Sequence, residues 1–105
     1  MAPELFKPEQ KATTKSDMWS LGCCFYELMM LLPPYVGNNR PYLKKIITEN
    51  SYEEIKGEWS EKFKELIYKL LKKNPAKRPA AADIICMDFY QDFEKERKNT
   101  KYTLL

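Results

Sequence analysis

From Met18 to Leu32 the chain runs fifteen residues with a single charged side chain, Glu27, and then meets Pro33-Pro34. A stretch this apolar has to be covered. The double proline fixes where it stops, because proline lacks an amide hydrogen and clashes with the preceding helical turn. At about 1.5 Å per residue a helix of this length reaches roughly 22 Å, short of the ~30 Å hydrocarbon core of a bilayer. The run therefore reads as a helix apolar on nearly all faces, buried inside a larger protein and not crossing a membrane.

The rest of the chain is patterned for helices as well. Residues 3–7 fit a short helical turn stopped by Pro8, and Thr14 or Ser16 can cap the apolar helix. Gly37-Asn38-Asn39 is a loop. Asn38 or Asn39 can cap a further helix with Pro41 in its first turn and Leu43, Ile46 and Ile47 on its apolar face. Residues 50–58 look irregular, with Tyr52 and Ile55 as anchors. Ser60 then caps the most amphipathic segment, where Phe63, Leu66, Ile67, Leu70 and Leu71 recur at helical spacing until Asn74-Pro75 breaks it. Residues 80–86 and 88–98 suggest two more helices, the second with Phe89, Tyr90 and Phe93 on one side, and residues 99–105 should fray. The expectation is an all-α chain of 105 residues forming one domain or a piece of one.

Charge and cysteine usage exclude several functions. Eighteen basic and fifteen acidic residues are interspersed, giving +3, which describes a mixed solvated surface and not a nucleic-acid-binding field. Cys23 and Cys24 are neighbours, Cys86 stands alone and histidine is absent, so neither a disulfide framework nor a zinc site is expected. Free thiols suit a reducing compartment, cytoplasmic or nuclear. The start, Met1-Ala2-Pro3-Glu4, lacks the basic and apolar regions of a signal peptide.

Three segments in order carry a resemblance. Ala2-Pro3-Glu4 resembles the Ala-Pro-Glu signature that closes the activation segment of eukaryotic-type protein kinases. Asp17-Met18-Trp19-Ser20-Leu21-Gly22 resembles the Asp-x-Trp-Ser-x-Gly motif opening that family's central helix. Leu70 to Pro79, containing Asn74-Pro75 and Arg78-Pro79, is similar to the motif near the end of the domain. Within the family, the runs from Leu21 to Leu28 and Pro33-Pro34-Tyr35, with Lys45-Ile46-Ile47 and Trp59-Ser60, look most like the NIMA-related (NEK) serine/threonine kinases. The resemblance implies the helical carboxy-terminal lobe over residues 1–90, with 91–105 a helical extension and frayed tail.

By resemblance, Glu4 pairs with Arg78; two unrelated surface charges are the plain alternative. Asp17 would hold the backbone of the catalytic loop, or simply favour the helix start through the dipole. Trp19 and Gly22 are structural, as packing and as a close helix contact. Cys24 and Leu28 match the floor of the apolar stack beneath adenine, although from the residues alone they are ordinary core. Glu27 matches a position that faces basic substrates in some kinases. The parts that perform phosphoryl transfer are a glycine-rich loop, a Lys–Glu pair, His-Arg-Asp and Asp-Phe-Gly. None of these motifs occurs here, and Gly22, Gly37 and Gly57 are the only glycines. No catalytic, cofactor-binding or metal-binding residue is therefore expected in this chain. ATP and magnesium are implied for a complete parent kinase, with a protein substrate or the missing amino-terminal half as partner and no nucleic acid or membrane. A chain read from an internal methionine is one expectation; a non-catalytic helical interaction module is the alternative. Alone, such a piece is expected to leave Trp19 and much of the apolar run facing water, and to be marginal or prone to aggregate.

Overall fold

The structure, a computed structural model, describes residues 2–49 and 51–87 together with Gln91, Glu94 and Lys95. The aromatic side expected on a helix over 88–98, formed by Phe89, Tyr90 and Phe93, lies outside the described residues, as does the tail. A 3₁₀ turn at Pro3–Phe6 leads to α1 (Thr14–Met30), α2 (Arg40–Glu49) and α3 (Glu61–Leu70). A second 3₁₀ turn at Pro75–Lys77 precedes α4 (Ala81–Ile85), and the described residues contain no strand.

Thr13, one residue before the expected caps, starts α1. Its hydroxyl accepts from the Lys15 and Ser16 amides, while the Ser16 hydroxyl accepts from the Thr13 amide at 3.2 Å. This reciprocal box needs a cap and a partner three residues apart, and Thr13 with Ser16 supplies both. At the other end α1 stops at Met30, short of the expected Leu32. Leu31 takes a left-handed conformation (φ 60°) and its amide closes on the Glu27 carbonyl at 2.8 Å. Asn39 caps α2 by accepting from the Tyr42 amide at 2.9 Å. Ser60 precedes α3, but its side chain makes no capping bond; its carbonyl accepts from the Lys64 amide.

Helices α1 and α3 pack together through two joined apolar clusters. Ala2, Trp19, Tyr26, Ile47, Ile55, Ile67 and Leu71 form the larger, and Met18, Leu66 and Leu70 the smaller. Gly22 marks the close approach: a Cβ there would stand 2.8 Å from the Leu70 Cβ and 3.2 Å from Leu71. Gly22→Ala should gain up to ~1 kcal/mol of helix propensity, while the forced separation costs about 1–3 kcal/mol. The expected result is a net loss of about 1 kcal/mol in urea unfolding. A stabilised variant would show that α3 shifts freely.

Residues 51–60 are irregular, yet their backbone is held. Ile55 is buried, the Tyr26 hydroxyl donates to the Glu53 carbonyl, and the Ile55 amide donates to the Tyr68 hydroxyl at 3.0 Å. Tyrosines on α1 and α3 thus take up backbone groups that no helix or sheet serves.

One expectation about α1 is met and another corrected. Part of the apolar run faces water, as expected of this chain alone: Cys24, Glu27 and Leu28 are exposed, Leu28 at 73%, and Leu31 just beyond the helix reaches 84%. Trp19, expected in water, is 1% exposed. The double proline explains the second result, because it turns the chain back and stacks Tyr35 on the Trp19 ring, centroids 6.1 Å apart.

Candidate functional site

The first and last motifs meet at the amino-terminal end of α1. Arg78 sends Nη1 to Glu4 Oε2 at 2.7 Å and Nη2 to Glu4 Oε1 at 2.8 Å, a two-pronged pair joining residues 74 apart in the chain. Its remaining donors go to main-chain carbonyls: Nε to Lys72 at 2.7 Å, Nη1 to Lys15 at 2.9 Å and Nη2 to Lys73 at 3.2 Å. These are five bonds for the five N–H groups a guanidinium carries. Its flat face lies over Trp19, 5.1 Å from the ring centroid. The alternative of two unrelated surface charges does not describe this geometry, since the Arg78 side chain is fully buried and that of Glu4 only 10% exposed.

The local sequence explains the placement. Asn74 accepts from the Ala76 amide and opens the second 3₁₀ turn, which carries Arg78 back toward α1. Two members of the network were not singled out from sequence for this role. Ser16, considered only as a cap, donates its hydroxyl to Glu4 Oε2 at 3.1 Å, and the Lys15 ammonium donates to the Arg78 carbonyl. The capping spacing was a signal for Ser16; nothing in the residue pattern marked Lys15.

Burial would raise the Glu4 pKa, but the bonds from Arg78, from backbone and from Ser16 outweigh it and hold the carboxyl below its ordinary 4.5. A carboxylate whose folded pKa is depressed contributes stability above its unfolded pKa, and loses it as pH falls through the folded one. The fold is thus expected to weaken below about pH 4.5. Glu4→Gln should be less stable at pH 7 and converge with the parent in acid. Thermal midpoints across pH 3–7 check this, and a gap that stays constant would remove Glu4 as the titrating group.

The other candidates fall on two sides of α1. Trp19 and Gly22 are buried beneath α3, whereas Asp17 sits exposed in the first turn, where the positive end of the helix dipole favours its charge. Cys24, Glu27 and Leu28 share the exposed side, so within this chain Cys24 and Leu28 are not core. The structure brings Glu4 and Arg78 together with Trp19, and leaves Cys24, Glu27 and Leu28 apart from them. Burial pushes the Cys23 thiol up to about 11, which makes it a poor nucleophile.

ATP with magnesium does not fit the residues at hand. Gly22 is spent on helix packing, Gly37 and Gly57 lie in separate loops, and the described residues include no group of three potential metal ligands.

Comparison with known proteins gives a consistent picture. The protein kinase domain pattern matches residues 1–90. The chain is 34% identical over 93 residues to the probable serine/threonine-protein kinase nek3 of Dictyostelium discoideum, covering 89% of this chain and 8% of that protein. It is 33% identical over 103 residues to the serine/threonine-protein kinase Nek2 of Mus musculus, covering 92% of this chain and 23% of that one. A calcium and calcium/calmodulin-dependent serine/threonine-protein kinase of Pisum sativum is 36% identical over 88 residues, covering 81% of this chain and 16% of that protein. The chain therefore spans less than a quarter of the length of each of these relatives.

Proposed function

The chain belongs to the protein kinase domain family, and from that premise we propose that it forms the helical floor of a NEK-type serine/threonine kinase, whose ATP and magnesium are held by residues outside it. The five-bonded Arg78 with its two-pronged Glu4 partner carries this reading. Such a pair ties the end of an activation segment to the start of the central helix. Asp17 is then held ready to accept bonds from the catalytic loop. Phosphoryl transfer depends on positioning and charge stabilisation, and this floor contributes to the positioning.

In this reading the exposed side of α1 is the face that the rest of the catalytic domain covers. Cys24 and Leu28 lie beneath the adenine, and Glu27 faces a basic protein substrate. The 73% exposure of Leu28 supports that assignment, because a side chain already packed would have nothing to receive. Leu28→Gln in this chain alone should change unfolding free energy by less than about 0.5 kcal/mol, as exposed positions do. A loss of 2 kcal/mol or more in urea titration would instead place Leu28 in a core. We place the protein in the cytoplasm or nucleus on the strength of its free cysteines. Among the described residues no helix is long and apolar enough to cross a membrane.

Reading the transcript across Met1 tests the proposal. In-frame codons for a glycine-rich loop, its lysine, His-Arg-Asp and Asp-Phe-Gly are expected, and the protein they encode should phosphorylate serine or threonine in vitro. A stop codon close upstream would overturn this reading. The chain would then be a non-catalytic helical module, and the exposed Leu28, Leu31 and Leu32 would be its binding face.

A further inference from the structure

Away from the α1 face, Tyr35, Tyr52 and Tyr68 wall a shallow pocket of about 360 Å³ that Glu54 and Lys73 also line. The Tyr35 and Tyr52 rings meet at 86° with centroids 6.1 Å apart, and Tyr68 stacks on Tyr52 at 5.8 Å. Trp19 stacks on one side of Tyr35 and Tyr68 on one side of Tyr52, so a flat cation in the pocket would meet the opposite side of one of these rings, and a π face attracts such a cation. The corner is held in advance. The Tyr68 hydroxyl accepts from the Ile55 amide, and the Tyr35 ring is stacked on the buried Trp19. Little ordering remains to be done when a ligand arrives.

Charge points to the same class of ligand. Residues 49–58 carry Glu49, Glu53, Glu54 and Glu58 against Lys56 alone, within a chain of net charge +3. Glu53 is paired with Lys56 at 2.9 Å, which leaves Glu54 as the carboxylate of the pocket lining. Lys73 opposes a cation, but its ammonium is drawn onto the Thr48 carbonyl at 3.3 Å, at the negative end of α2.

We propose that this tyrosine corner is a docking site for an arginine side chain of a partner protein, its guanidinium flat against a ring and its N–H groups on the Glu54 carboxylate. Arginine fits better than lysine because its planar fork stacks and bonds at once. The site does not depend on the kinase reading, since its three tyrosines and Glu54 lie outside the three motifs, and only Leu71 and Lys73 of its lining fall within one.

The test uses the 105-residue chain with ¹³C-labelled tyrosine rings, titrated with the peptide Gly-Gly-Arg-Gly-Gly and followed by NMR. Saturable shifts confined to Tyr35, Tyr52 and Tyr68 are expected, with no response to the citrulline peptide and a weaker one to the lysine peptide. Glu54→Gln, an exposed change that leaves the aromatic packing intact, should weaken binding about threefold to tenfold. Absence of saturable shifts would overturn the proposal. So would equal responses to citrulline or lysine, or an unchanged affinity in Glu54→Gln.

Discussion

Replacing Arg78 with alanine is expected to destabilise the chain by about 3–5 kcal/mol, a large part of what a domain of this size possesses. The charge pair alone is not the reason, because a buried ion pair often does no better than apolar residues of the same shape. The loss comes from what is left behind. Glu4 would remain as a largely buried carboxylate, and the carbonyls of Lys15, Lys72 and Lys73 would lose the donor that joins three separate segments. The Trp19 ring would also lose its cover. Arg78→Lys should recover little, because an ammonium has three donors and no planar fork. Urea unfolding followed by circular dichroism measures the loss. The Glu4→Ala/Arg78→Ala double variant should be less damaging than the sum of its singles. An Arg78→Ala loss under 1 kcal/mol would mean that water reaches and solvates the site.

The Glu4–Arg78 network also shows what residues reveal on their own. That Glu4 and Arg78 belong together was legible only through motif resemblance, since no periodicity links positions 74 apart. The apolar face of α3 was legible from spacing, because it packs on one neighbour and keeps a clean 3.6-residue pattern: Leu66, Ile67 and Leu70 are buried. Helix α1 was harder. With apolar residues on every side its pattern does not say which side a neighbour takes, and only Gly22 betrays the face pressed on α3. Caps depend on one or two atoms, so Thr13 was missed beside two equally suitable neighbours. The tyrosine hydroxyls that hold residues 52–55 join elements distant in sequence, and nothing in the residue pattern announces them.

Trp19 gives the second large effect, and here the residue pattern and the structure lead to opposite outcomes. A tryptophan left in water would tolerate alanine at a cost near that of any surface change, about 0.5 kcal/mol. In the structure its ring lies between the Tyr35 ring and the Arg78 guanidinium, within the larger apolar cluster. Trp19→Ala should therefore cost about 3–5 kcal/mol, the range for emptying a large aromatic site. Trp19→Phe should cost less, since the smaller ring keeps part of the contact with Tyr35. The two tryptophans can be told apart, because Trp59 is 45% exposed. In a Trp59→Phe background the remaining emission should be blue-shifted and poorly quenched by iodide. Trp19 and Arg78 share a contact, so their alanine variants should not add, and the double variant should lose less than the two singles together. Additive losses would mean that stacking on Tyr35 holds Trp19 independently of the guanidinium. A Trp19→Ala loss below about 1 kcal/mol would return Trp19 to water and undo the burial of α1 against α3.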